Sequence, residues 1–111
     1  MILTEYLYRR PITCQVTELN GDISVLLFGG DKAHLGAVSL AGGGMEIVTH
    51  SFPGHKEQHI TAVWAEKIAE KTGKQVCVQG GIHYEGATEE MIREILALTD
   101  KMLEEILTRI G

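Results

Sequence analysis

A chain of 111 residues holds one hydrophobic core and is too short for two. Hydrophobic residues at 44% and charged residues at 23% are ordinary globular usage, and no apolar run reaches the roughly 18 residues of a membrane span, so disordered and membrane classes are excluded. The net charge of −5 argues against a nucleic-acid partner, which requires clustered Lys and Arg to neutralise phosphates.

The opening Met1-Ile2-Leu3-Thr4-Glu5 lacks the basic and apolar regions of an export signal, which predicts a cytoplasmic protein. Arg9-Arg10 reads as solvated charge flanking the first strand. That strand is predicted from Ile12 to Leu19, where apolar and polar residues nearly alternate. Asn20-Gly21 turns the chain, since both residues tolerate the positive φ of a type I′ hairpin turn. Ile23 to Phe28 follows as a second strand, apolar on both faces in its second half and therefore central in its sheet. After Gly29–His34, Leu35–Leu40 reads as a third strand rich in small residues. Ala41-Gly42-Gly43-Gly44 turns into a fourth strand, Met45–Phe52, expected to be half exposed.

Pro53-Gly54 stops that strand. From Glu57 onward Ile60, Val63, Trp64 and Ile68 recur at helical spacing, and Gly73 suits the left-handed cap that closes the helix. Gln75–Gln79 is a fifth strand beside the second, with its direction open. Thr88 is the predicted N-cap of a second helix that runs to about Arg109, its stripe including Ile92, Ile95, Met102, Leu103 and Ile106. The fold class is therefore α+β, one domain over 1–111 in the order β-β-β-β-α-β-α, with helices packed on the sheet.

Chemistry concentrates in three segments, Gly29–Gly36, Pro53–Glu57 and Gly80–Thr88, each placing a histidine close after glycine. Glycine permits close backbone approach, and histidine titrates or ligates near neutral pH. Singly, each reads as an ordinary solvated turn; together, following the second, fourth and fifth strands, they are candidates to converge at one end of the sheet. Gly54-His55-Lys56 at a helix start suits an anion through its N–H groups and the Lys56 charge, while the alternative of a solvated first turn stands equally. Lys32 and His34 offer a second positive contribution. Neither a Walker-type nor a dinucleotide glycine loop is present.

A zinc shell from His34, His55 and His83 is conceivable but not diagnostic in spacing, and it ranks below a metal-free pocket. Glu85 beside His83 is a candidate acid/base pair, with solvent exposure as its ordinary alternative. Ser24, Ser39 and Ser51 fall within strands, without a G-x-S-x-G elbow. Cys14 and Cys77 are too few for a disulfide framework, and their apolar, β-branched contexts raise a thiol pKa. Trp64, Met91 and Met102 read as packing residues.

Taken in order, Gly29-Gly30-Asp31-Lys32-Ala33-His34-Leu35-Gly36-Ala37-Val38, Pro53-Gly54-His55-Lys56-Glu57 and Gly81-Ile82-His83 with Ala87-Thr88-Glu89-Glu90 resemble the LpdD-like prenylated-flavin chaperone family. The resemblance implies a small homodimer, similar to proteasome assembly chaperones in fold, that binds reduced prenylated flavin mononucleotide (FMN) and helps load it into a UbiD-like decarboxylase. On that reading the protein is a carrier, not an enzyme, with no resident metal. Gly29, Gly30, Gly54 and Gly81, together with Lys32 and Lys56, hold the phosphate end; His34, His55 and His83 line the isoalloxazine. The glycine turn 41–44 departs from the longer, proline-bearing loop expected in such relatives. Two other readings are a small metal- or histidine-dependent decarboxylase subunit, and a protein-only assembly factor using the stripe of the second helix as an interface.

Overall fold

A computed structural model describes residues 1–53 and 58–110. The chain runs β1 (Ile2–Leu7), β2 (Arg10–Leu19), β3 (Asp22–Gly30), β4 (Ala37–Gly42), β5 (Met45–Ser51), α1 (Gln58–Thr72), β6 (Val76–His83) and α2 (Glu89–Arg109). The four strands, helix, strand and helix read from the sequence are all present, preceded by one further strand, β1. Its hairpin to β2 is closed by Tyr8-Arg9, both in the left-handed region at φ 51° and 64° and neither a residue that announces such a turn. At the next hairpin Asn20 (φ 39°) and Gly21 (φ 111°) join Leu19 to its partner Asp22, as their side-chain chemistry predicts.

Among the described residues six strands form one sheet in the order β1-β2-β3-β6-β4-β5. β6 enters between β3 and β4, parallel to β3 and antiparallel to β4, which settles the direction the sequence left open. Alternation along the strands divides the sheet into two faces. One carries Ile12, Cys14, Val16, Ile23, Val25, Leu27 and Val78, and both helices pack on it through Trp64, Ala65 and Ile68 of α1 and Met102, Leu103 and Ile106 of α2. Each such fully buried aliphatic side chain contributes about 1.5–3 kcal/mol relative to exposure. Trp64 Nε1–H is buried without a hydrogen-bond partner among the described residues, a cost of about 1–3 kcal/mol within an otherwise apolar cluster.

The small residues of β4 have a packing reason. Ser39 Oγ lies 2.8 Å from Thr61 Oγ1 of α1 and 2.7 Å from Thr49 Oγ1 of β5, so buried hydroxyls satisfy one another where the helix approaches the sheet. A Cβ on Gly80 would stand 2.8 Å from Thr61 Cγ2. The opposite face, with Ser24, Leu26, Phe28, Val38 and Gln79, stays half-exposed.

The helix ends follow the sequence. Thr88 caps α2 by accepting the Met91 N–H at 3.2 Å, and Gly73 (φ 71°) donates to Ala69 O at 2.8 Å behind α1. The stripe of α2 goes mainly into the core: Thr99, Met102, Leu103 and Ile106 are buried, and Ile92 is its exposed end. Core packing, the ordinary alternative to a helix-two interface, therefore takes up most of that stripe. Among the described residues no helix is long and apolar enough to cross a membrane.

Candidate functional site

Strand register decides which loops meet. Gly30 pairs with His83, Ala37 with Gly80 and with Ser51, and Ile12 with Gly29. The segments leaving β3, β5 and β6 therefore emerge at one end of the sheet, as expected, and the Tyr8-Arg9 turn joins them there. Gly54, His55 and Lys56 lie outside the described residues.

Two of the three glycine segments are not wholly loops. Gly29 and Gly30 end β3, and Gly81 and His83 belong to β6, which continues beyond Gln79 because β3 and β4 pair with its glycines. The glycines admit neighbouring chain. A Cβ on Gly30 (φ 87°) would stand 2.3 Å from His83 O, and one on Gly29 2.3 Å from Pro11 O. Gly81 is the tightest: its Cβ would come within 1.6 Å of His34 O, so the segment from β3 to β4 crosses directly over β6 on the half-exposed face. The amides here also have partners. Asp31 N–H and Lys32 N–H both donate to His83 O, at 2.7 and 3.3 Å, and Gly36 N–H donates to Gly80 O at 2.7 Å.

This crossing brings His34 beside His83, with ring centroids 6.1 Å apart and planes at 67°. His83 Nε2 lies 3.1 Å from Glu85 Oε1, and both side chains are open to solvent. Asp31 then ties three segments together: its Oδ1 accepts from Arg10 Nε at 2.8 Å and its Oδ2 accepts from Glu85 N–H at 2.9 Å. Arg10, followed by the Glu85 amide, holds the Asp31 carboxyl below the usual carboxylate range, so it is an anion at neutral pH. Arg10 is therefore part of the cluster and not merely solvated flanking charge. Sequence reading missed it because the turn presenting it carries no glycine or asparagine. Lys32 stands exposed on the same segment.

Tyr84, buried, donates to Leu7 O at 2.7 Å and meets Tyr8 edge-on at 6.1 Å, pinning the segment after β6 to the first hairpin. Tyr8 in turn donates to the Glu94 carboxylate of α2. Next to the histidines, Leu35, Ala37, Val38, Phe52 and Gln79 enclose a cleft of about 280 Å3. A second hollow of about 290 Å3 lies at the opposite end of the sheet, among Leu19, Ile23, Leu40, Met45 and Val76.

Among the described residues no three His, Cys, Asp or Glu side chains come together in a metal-holding group. Burial pushes the Cys14 thiol up to about 12, the state of an inert core residue. The cluster offers cations, imidazoles and an apolar cleft, a combination suited to binding an anionic aromatic ligand.

No curated protein matches the sequence. In structure the chain is similar to one from the chaperone complex for yeast 20S proteasome assembly, with a TM-score of 0.60 over 99% of this chain and 98% of that one. At 18% identity that likeness shows the fold alone. In sequence, residues 7–111 match the model of the prenylated flavin chaperone LpdD-like domain. The chain belongs to the LpdD-like prenylated flavin chaperone family, which supports a chaperone role in the handling of flavin.

Proposed function

We propose that this protein is a non-catalytic carrier that binds reduced prenylated FMN and passes it to a UbiD-like decarboxylase, acting as a cytoplasmic homodimer. The observation that carries the reading is the convergence of Lys32, His34, His83 and the Arg10–Asp31 pair beside an apolar cleft at one end of the sheet. Lys32 and Lys56 supply charge for the phosphate, and His34, His55 and His83 line the ring end. Gly29, Gly30 and Gly81 form the surrounding backbone, and Gly54 is a further glycine contact to the ligand. Because Asp31, Lys32 and Gly36 direct their amides to β6, the phosphate relies on side-chain cations and on amides elsewhere.

A carrier must release its cargo, so binding by solvent-open groups suits it better than deep burial. His83 and Glu85 are 43% and 77% exposed. Anaerobic titration with reduced prenylated FMN, against ordinary reduced FMN, tests the reading, followed by transfer to an apo-decarboxylase. Selective binding and transfer are expected. A protein that binds neither flavin contradicts it.

A further inference from the structure

Resting on the carrier reading, we infer that the isoalloxazine ring system of the flavin seats in the cleft between Leu35 and Phe52, over Val38, with the Gln79 amide at its polar edge. Leu35 and Phe52 are 53% and 59% exposed, an unusual state for two large apolar side chains flanking one hollow. At about 280 Å3 the cleft falls just below the span of ordinary ligand pockets, which run roughly 300–1,000 Å3. It has room for a ring system and not for a whole nucleotide, so the phosphate extends towards the cationic segment.

The rim is already strapped in place. Phe52 N–H donates to Gly36 O at 2.8 Å, and Gly36 N–H donates to Gly80 O at 2.7 Å, so little ordering remains when a ring enters. Leu35 directly follows His34, and Gln79 shares its strand face with Gly81 and His83, which puts one edge of a seated ring against the histidine pair. Gln79 offers both a donor and an acceptor, matching the alternating N–H and carbonyl groups of an isoalloxazine edge. The hollow at the other end is of similar size, but the carboxylate of Asp22 lines it, whereas among the described residues no carboxylate lines the cleft between Leu35 and Phe52.

The test uses the full chain under anaerobic conditions, with reduced prenylated FMN and the bare ring lumiflavin as probes. Val38→Trp fills the cleft floor on a half-exposed strand face that tolerates an aromatic residue. Phe52→Ala removes one wall, and Leu40→Trp places the same bulk on β4 at the other hollow. Val38→Trp is expected to weaken both probes by about tenfold or more, equivalent to about 1.4 kcal/mol; Phe52→Ala weakens both by less, and Leu40→Trp changes neither. If Val38→Trp and Phe52→Ala keep full affinity for prenylated FMN, the ring sits elsewhere and only the carrier reading stands. If lumiflavin binds with Val38→Trp sensitivity while prenylated FMN does not bind, the cleft stands and the carrier reading fails. Wild-type protein that binds neither probe overturns both.

Discussion

The two ends of the sheet are built with similar materials to different effect. Both have glycine-rich chain reversals and a hollow of nearly equal size, about 280 Å3 at one end and about 290 Å3 at the other. At the far end Gly21 and Gly44 have open space where a Cβ would go and serve the left-handed backbone, at φ 111° and 75°, while Gly42 admits the backbone of Lys74, whose O would stand 2.4 Å from a Cβ. At the histidine end Gly81 lies outside the left-handed region, yet a Cβ there would strike the backbone of His34. A glycine that turns the chain leaves an open surface. Where the chain crosses β6 at Gly81, charged and imidazole side chains come together in the linked set Arg10, Asp31, Glu85, His83 and His34.

Glycine substitutions at the two ends give the sharpest test of that contrast. Gly81→Ala forces backbone out of the way and should destabilise the protein by about 3 kcal/mol or more, the upper range for overpacking, in denaturant unfolding. Gly44→Ala meets no atom and carries only the left-handed penalty of about 1–2 kcal/mol. Equal losses at the two positions would break the distinction.

Smaller effects refine it. Tyr84→Phe removes the hydroxyl that reaches Leu7 O and should cost about 1 kcal/mol. It should also loosen the histidine end selectively, seen as faster amide exchange at Glu85 than at Asp22. The weakest effect concerns Asp31. Its carboxyl is held below its ordinary value in the fold, so it adds stability at neutral pH that is lost as pH falls below the usual carboxylate range. Asp31→Asn should flatten the acid side of the stability curve and leave its alkaline side unchanged. An unaltered acid limb would remove Asp31 from its linking role.

Most of the scaffold was legible because its signals are local. Alternation from Ile12, the Asn20-Gly21 turn, the Thr88 cap and the stripe of α2 each reflect chemistry within a few residues. β1 was not legible, since the turn that pairs it uses Tyr8 and Arg9 in left-handed conformations that neither residue advertises. Losing that hairpin meant losing Arg10 from the cluster. The meeting of the segments after β3 and β6 agrees with the sequence, but their form does not. Gly80–His83 reads as a loop until β3 and β4 are seen to pair with it, and pairing between residues as distant as Gly30 and His83 leaves no local trace. The cleft was invisible for the same reason: Leu35, Phe52 and Gln79 meet only through the sheet.

Residue-resolved amide NMR during anaerobic addition of reduced prenylated FMN distinguishes binding of the flavin at the histidine end from binding at the equally hollow far end. Shifts confined to Arg10, residues 31–38, Phe52 and residues 79–85 are the predicted result. Shifts centred instead on Leu19–Ser24, Leu40–Met45 and Gln75–Cys77 would place the ligand in the far hollow and contradict the account.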